Sequence, residues 1–344
     1  MRQWVTLKTI AKKTGYSVTT VSRALAGYND VSEETRQKIQ AAARELGYYP
    51  NQTARQLQKQ RTDTVGLILP FSSARFADPY FSLVLAGIGD ELSERGIDLL
   101  ISTRPPGPSE IEAYKHMVEG RRVDGLVVIR TRREDERIVY LVERGFPFAA
   151  FGRTDLGLDY PCIDEDGQAG TYELVTYLAG LGHERIAYIA APQDLMFGHY
   201  RHEGYRQALQ AADLPYDEQL VIKGDLTRRG GAAATEQLLA SEPWPTAIVA
   251  ANDLMAVGTM NVAQERGVVV GRDLSVAGFD DIPTAEALSL TTLHQPIYDI
   301  GHRLSQMLAM VIARQELDEQ QILLKPELIV RDSVAPPSRG RSMS

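Results

Sequence analysis

Up to about residue 61 the apolar positions recur every three or four residues; from Thr64 onward they come as short continuous runs separated by longer amphipathic stretches. The first pattern predicts three short helices. Thr6 can cap the first, "LKTIAKKT", whose Leu7, Ile10 and Ala11 form one apolar face before Gly15 ends it. Ser17 can cap a second, "VTTVSRALA", closed by Gly27. Ser32 can cap a third, "EETRQKIQAAARELG", with Glu33 and Glu34 in the first turn, where the helix dipole favours acids, and Ile39, Ala42, Ala43 and Leu46 facing inward. In the second helix the period turns Val21, Ala24 and Leu25 inward and Val18, Thr19, Ser22 and Arg23 outward. Two helices joined by the tight "GYS" turn, the second with short outward side chains and one arginine, read as a helix-turn-helix. Arg23 can reach the two major-groove acceptors of a guanine, and the methyls of Val18 or Thr19 can meet a thymine methyl.

Next comes "YYPNQTARQLQKQRTDT", in which Pro50 fixes the backbone and Asn51 can cap a short helix with no apolar residues except Ala54 and Leu57. Such a helix is too short to persist alone in water, so it is either a flexible linker or an element that folds on a partner. The second pattern supplies strand candidates in "TVGLILP", "DLLIST", "DGLVVIR", "FAAFG", "RIAYIAA", "LVIKGD", "TAIVAAN" and "LSVAGFD", alternating with helical segments such as "SLVLAGIGDELSERG" and "DLMAVGTMNVAQERG". Apolar strand runs between amphipathic helices imply parallel sheets covered on both faces, either one large sheet or two smaller ones.

Charge sharpens this division. The chain of 344 residues is long enough for two or three domains and, at 44% hydrophobic and 24% charged, has the composition of a globular protein with substantial cores. Residues 1–61 carry eleven Lys and Arg against four acids, a net of +7, so the rest of a chain of net charge −8 carries −15. A basic head on an acidic body points to a polyanionic partner for the head. A single cysteine, Cys162, excludes an internal disulfide framework and reads as a small buried residue. The N-terminus has no signal-peptide core and no apolar run approaches the ~20 residues needed to span a membrane, so a cytoplasmic location is expected.

Enzyme signals are missing from the sequence pattern. The first strand is followed by "PFSSARFADP", without the glycine turn that cradles a dinucleotide, and no GxSxG elbow occurs. "DEDG", Asp164–Gly167, looks like half a calcium loop but lacks the later acidic ligand, and reads as a turn leading into a helix. His199, His202 and Glu203 read as surface residues rather than metal ligands. No cofactor, metal or catalytic residue is expected.

The head "TLKTIAKKTGYSVTTVSRALAGYNDVSEETRQKIQAAARELGYYPNQTARQLQ" closely resembles that of the lactose/galactose repressor (LacI/GalR) family. "DPYFSLVLAGI", "VDGLVV", "LGHERIAYIA", "PTAIVAANDLMAVG", "DLSVAGFDDIP" and "LTTLHQPIYDIG" follow in the order found there, so the resemblance covers residues 5–333. It implies an all-α helix-turn-helix head at 1–49, a hinge at 50–63, and an α/β body at 64–333 of two Rossmann-like subdomains of the periplasmic-binding-protein type. The first subdomain would take 64–162 and 292–320 and the second 163–291 and 321–333, leaving 334–344 as a disordered tail.

The resemblance further implies a homodimer on a pseudo-palindromic operator. Val18, Thr19 and Arg23 would read bases. Thr6, Ser17, Thr20, Ser22, Asn29, Ser32, Thr35 and Tyr48 would lie at the phosphates, and the hinge at Asn51, Ala54 and Leu57 in the minor groove, with Leu57 as a wedge. In the cleft it implies a small effector held by Arg201, Asn252 and Asp280, with Phe71, Tyr80 and Phe81 as aromatic platforms and Arg130, Arg153 and Gln295 as further contacts. Gly152 departs from the pattern, standing where the lactose repressor has a ligand-binding aspartate. The function expected is a repressor of carbohydrate-use genes released by a mono- or disaccharide; a co-repressor-dependent regulator responding to a nucleobase and a sugar-binding receptor are the alternatives.

Overall fold

The computed structural model describes residues 5–48, 61–70, 78–240 and 242–338. The chain divides after Arg61 into two units, each with its own core.

The first unit is a three-helix head: α1 (Leu7–Thr14), α2 (Val18–Leu25) and α3 (Glu33–Leu46) pack pairwise around Ile10, Val21, Ala24, Ile39, Ala42 and Ala43. The capping residues act as the sequence pattern indicates. Ser17 Oγ accepts from Thr20 N–H at 3.0 Å and Ser32 Oγ from Thr35 N–H at 3.3 Å, each satisfying a donor that the first helical turn leaves open. At the C-terminus of α2, Ala26 is the last capping residue and Gly27, at φ +80°, reverses the chain. Gly27 N–H then bonds Ala24 O, and Tyr28 N–H bonds Arg23 O, a termination that needs the left-handed backbone glycine adopts without cost.

The second unit is built on two parallel sheets. Its first part runs β1 (Thr64–Leu69), α4 (Pro79–Glu94), β2 (Asp98–Thr103), α5 (Pro108–Glu119), β3 (Gly125–Val128), α6 (Glu136–Glu143), β4 (Phe148–Phe151) and β5 (Cys162–Glu165). The second runs α7 (Gly167–Gly180), β6 (Ile186–Ala190), α8 (Met196–Ala211), β7 (Val221–Lys223), α9 (Arg228–Leu238), β8 (Ala247–Ala250), α10 (Asp253–Glu265), β9 (Ser275–Ala277) and α11 (Pro283–Ala287). Then follow β10 (Thr292–His294), α12 (Ile297–Ile312), β11 (Gln321–Leu324) and β12 (Glu327–Ile329).

One sheet has the order β11-β5-β4-β3-β1-β2, the other β7-β6-β8-β9, and both are parallel throughout. Strand apolarity is continuous rather than alternating because both faces are covered. On β1, Val65, Leu67 and Leu69 join one core with Phe81, Val84 and Ile88 of α4, while Ile68 joins the other with Tyr114 and Leu126. β10 and β12 form a short antiparallel pair between the lobes.

The lobe boundaries differ from those expected. β5 and β11 pair with each other and β5 with β4, so residues 163–165 and 321–324 belong to the first sheet, not to the second subdomain. β5 "CIDE" is not among the strand candidates because it ends in two carboxylates and offers no continuous apolar run. The start of the tail is also ordered. Val334 is buried, and Ala335 O meets Ser275 Oγ and a His183 ring nitrogen at 3.0 Å each, whereas 339–344 lie outside the described residues. Among the described residues no helix is long and apolar enough to cross a membrane.

Candidate functional site: a nucleic-acid-reading helix and an interlobe cleft

On α2, Val18, Thr19 and Arg23 are exposed, Ser22 is half-buried, and Val21 and Ala24 are buried, so the helical period separates a packing face from an open one. Leu25 is only partly buried, at the edge of the core. Arg23 is drawn sideways: its guanidinium pairs with Asp30 at 2.7 Å and lies over the Tyr28 ring at 5.3 Å. Thr6, Ser17, Asn29 and Ser32 are exposed, with Thr20 and Thr35 half-buried beside their capping serines at 2.8 and 2.9 Å. Tyr48 packs on the head core, and burial pushes its phenol pKa up. Asn51, Ala54 and Leu57 lie outside the described residues.

In the body the C-terminal ends of the parallel strands face a cleft between the lobes, where open α/β sheets bind ligands. The enclosed cavity between the lobes is small, about 50 Å³. The first lobe contributes Asp78 and Tyr80 from the start of α4, Arg130 and Thr131 after β3, Phe151 and Gly152 from the end of β4, and Asp164 and Glu165 from β5. The second contributes Phe197 and Arg201 of α8, Leu226, Asn252 after β8, and Asp280 after β9.

Arg201 is the electrostatic centre. It is buried, pairs with Glu165, lies 3.5 Å from Asp280 Oδ1, and donates to Ala251 O. Phe279 supports the guanidinium at 3.4 Å from ring centroid and Phe197 at 4.8 Å, which fixes its plane. Asp280, at φ +115°, accepts Gln295 Nε2–H at 2.7 Å. Burial pushes its carboxyl well above the usual range; Arg201 opposes this, and the neighbouring carboxylates Asp253, Glu165 and Asp78 add to it. Asp164 is raised to about 6 by burial, against the pull of Arg153, whose Nε lies 2.7 Å away. Aromatic walls complete the cavity: Tyr80 and Phe151 stack nearly parallel at 6.4 Å on one lobe, opposite Phe197 on the other.

The loop bearing Arg130 is held from behind. Arg137 is fully buried and bonds Glu110 at 2.7 Å, Asp135 at 2.6 and 2.8 Å, and the carbonyls of Ile129 and Arg130 at 3.3 and 2.9 Å. Arg130 has φ +53°, and its guanidinium lies 4.7 Å over the Phe81 ring. The same loop meets the second lobe: Met196 N–H bonds Thr131 O at 2.9 Å, and Arg133 N–H bonds Asp194 O at 3.2 Å.

Tyr80, Arg130, Arg201, Asn252 and Asp280 therefore come together as expected from the sequence. Phe81 does not reach the cavity; it is a core residue beneath Arg130. Gln295 acts through Asp280, and Arg153 stands behind Asp164. The Asn252 amide is committed to capping α10, its Oδ1 accepting Met255 N–H at 3.2 Å. Phe71 lies outside the described residues. Gly152, at φ +114°, allows no side chain: a Cβ there would overlap Thr131 Oγ1. Asp166 caps α7 through Ala169 N–H at 3.0 Å, but "DEDG" is not a turn throughout: Asp164 and Glu165 end strand β5 and face the cleft, and only Asp166 separates strand from helix. Sequence reasoning missed Asp78, Thr131, Phe151, Asp164, Glu165, Phe197 and Leu226 as lining residues of the cavity. Several of these end or follow parallel strands, the signal that could have found them.

A helical head with an open reading face, joined in one chain to a two-lobed body with a polar–aromatic cleft, defines a ligand-responsive DNA-binding transcriptional regulator rather than an enzyme. The chain belongs to the lacI family of bacterial regulatory proteins. Residues 6–51 match that family, and residues 175–334 match the periplasmic binding protein-like domain. It is 36% identical over 338 residues to the HTH-type transcriptional regulator CelR of Thermobifida fusca, covering 96% of this chain and 99% of the relative. Among solved structures it is similar to a transcriptional regulator CelR–cellobiose complex (TM-score 0.73, 35% identity, 96% and 99% of the two chains). It is also similar to the lac repressor dimer bound to operator and the anti-inducer ONPF (TM-score 0.86, 28% identity, 97% and 100%).

Proposed function

We propose that this regulator is a cytoplasmic homodimer that represses carbohydrate-use genes from a pseudo-palindromic operator and is released by a neutral sugar, a mono- or disaccharide, bound in the cleft. The observation that carries the reading is Arg201, buried between Glu165 and Asp280 and flanked by aromatic walls. With Asp78, Asp164, Glu165 and Asp280 facing Arg130 and Arg201, the cavity is unsuited to an anionic ligand. Paired acids and guanidinium groups suit vicinal hydroxyls, and flat aromatic faces suit the C–H faces of a sugar ring. The cellobiose of the CelR complex and the operator-bound lac repressor dimer support sugar, operator and dimer alike. A nucleobase is the second reading, favoured by the parallel Tyr80–Phe151 pair.

The test is operator binding by fluorescence anisotropy, with mono- and disaccharides and nucleobases titrated in. One effector is expected to lower operator affinity by about 5- to 150-fold, the usual coupling of ~1–3 kcal/mol, and operator must weaken effector binding equally. Arg201→Ala is expected to bind operator without release, and Arg23→Ala to lose discrimination at one base pair by ~1–3 kcal/mol. An Arg201→Ala protein that still releases DNA at wild-type sugar concentrations overturns the assignment of the cleft. Equal losses on specific and random DNA would show that Arg23 touches only phosphate.

A further inference from the structure

A second cavity opens on the far side of the Arg153–Asp164 pair. Asp164 faces the interlobe cleft; Arg153 faces a groove of about 450 Å³, open to solvent, lined also by Gln168 and Tyr172 of α7, Tyr200 and Gln207 of α8 and Leu323 of β11. We infer that this groove is an outer saccharide subsite, so that beyond the mono- or disaccharide held in the cleft the protein also takes longer oligosaccharides whose next unit lies past Arg153. The inference rests on the sugar reading of the cleft.

Three features of the groove point the same way. Two of its side chains are exposed apolar surface: Tyr172 is 38% and Leu323 48% exposed, where an apolar contact would serve a ligand. The Arg153 guanidinium lies over the Tyr200 ring at 4.6 Å and is tied to Asp164, which places its remaining donors beside an aromatic face. Gln168 and Gln207 are linked at 3.0 Å, and Gln207 in turn bonds Glu203 at 3.0 Å, which orders two amides along one wall. Aromatic faces for C–H surfaces, with amides and a guanidinium for hydroxyl edges, form a donor set for a pyranose ring. Arg153 of the groove and Asp164 of the cleft are paired at 2.7 Å, so a chain of sugar units running from one to the other displaces the Arg153 side chain.

The experiment is calorimetric titration of the full-length protein with cello- and malto-oligosaccharides of one to four units. In one series the trisaccharide is expected to bind about tenfold tighter than the disaccharide, equivalent to about 1.4 kcal/mol. Tyr172→Ala, at an exposed position, should abolish that gain while leaving disaccharide affinity and melting temperature unchanged; Tyr172→Phe should retain it, since the ring and not the hydroxyl does the stacking. Disaccharide binding with no further gain in length overturns the outer subsite alone. Equal losses for short and long sugars in Tyr172→Ala, or a change in its oligomeric state instead of its binding, also overturn it. A wild-type protein that binds none of these sugars overturns the sugar reading itself.

Discussion

Replacing Arg137 by methionine tests how the cleft loop is built. The guanidinium is fully buried and serves two carboxylates and two backbone carbonyls, those of Ile129 and Arg130. Methionine fills much of the volume but leaves Glu110 and Asp135 facing each other without their shared cation; Arg132 compensates only in part, bonding Glu110 Oε2 at 2.6 Å and, through its N–H, Asp135 at 2.9 Å. Breaking a buried pair by removing one partner costs about 3–5 kcal/mol, chiefly because the remaining charge is stranded. In a body of this size that corresponds to a melting shift on the order of 10 °C. The triple variant Glu110→Gln/Asp135→Asn/Arg137→Met removes the stranded charges, and the asparagine amide still offers an acceptor to the N-terminus of α6, which Asp135 caps through Arg137 N–H. It should recover at least half of the loss. Thermal and urea denaturation of wild type, single and triple variants measure this. The effector affinity of the single variant should fall as well, because Arg130 at φ +53° loses the bond that holds its carbonyl. A single variant within ~1 kcal/mol of wild type, or a triple variant as unstable as the single, refutes the reasoning.

Two further outcomes follow from the cleft. Asp164 has a carboxyl raised to about 6 from an ordinary 3.8, so the folded state holds its proton longer than the unfolded chain; this stabilisation is complete below about pH 4 and is lost as pH rises through 6. Asp164→Asn removes that slope, so urea titrations should show the variant gaining ~2–3 kcal/mol on wild type between about pH 4 and 7; a constant difference contradicts the assignment. Gly152→Ala places a Cβ against Thr131 Oγ1 at φ +114°, where backbone strain alone costs about 1–3 kcal/mol. Thermal denaturation should show that loss, with only partial relief when Thr131→Gly is added, and no loss would refute the claim that this position excludes a side chain.

The head was legible almost to the residue because its signals are local. Serine caps, terminal glycines and a 3.6-residue period act within one or two turns, so Ser17, Ser32, Gly27 and Gly47 could be placed without knowing what packs where. In the body the strands with continuous apolar runs were legible for the same reason, whereas β5 and β11 owe their place to pairing across some 160 residues of chain. The cleft divided along the same line. Arg201 and Asp280 sit in distinctive motifs, but Phe81 and Tyr80 are neighbours with equal claim in the sequence, and only the rotation of α4 against β1 sends Phe81 into the core and Tyr80 to the cavity. Periodicity separates buried from exposed; it does not separate a wall of a cleft from the surface of a core.

"GFDDIP" shows how the cleft and the lobe crossovers are joined. Asp280 and Asp281 both have positive φ, so consecutive side chains diverge. Asp280 turns toward Arg201 and accepts Gln295, the residue that follows β10 and leads into α12 of the first lobe. Asp281 turns away, meeting the His294 ring at 3.0 Å and the Arg331 guanidinium at 2.8 Å, on the segments bearing β10 and β12 that carry the chain between lobes. A ligand group drawn to Asp280 therefore acts on a turn whose next residue is fastened to two crossovers. A ligand can shift the lobe equilibrium only by the difference in its affinity for the two arrangements. Contacts that exist in one lobe regardless of closure, such as the Asn252 cap of α10, add nothing to that difference. Contacts between Asp280 or Arg201 of the second lobe and Glu165, Tyr80 or Phe151 of the first cross the cleft, as the Arg201–Glu165 pair does, and those are the ones able to supply a coupling of ~1–3 kcal/mol between an effector and the operator.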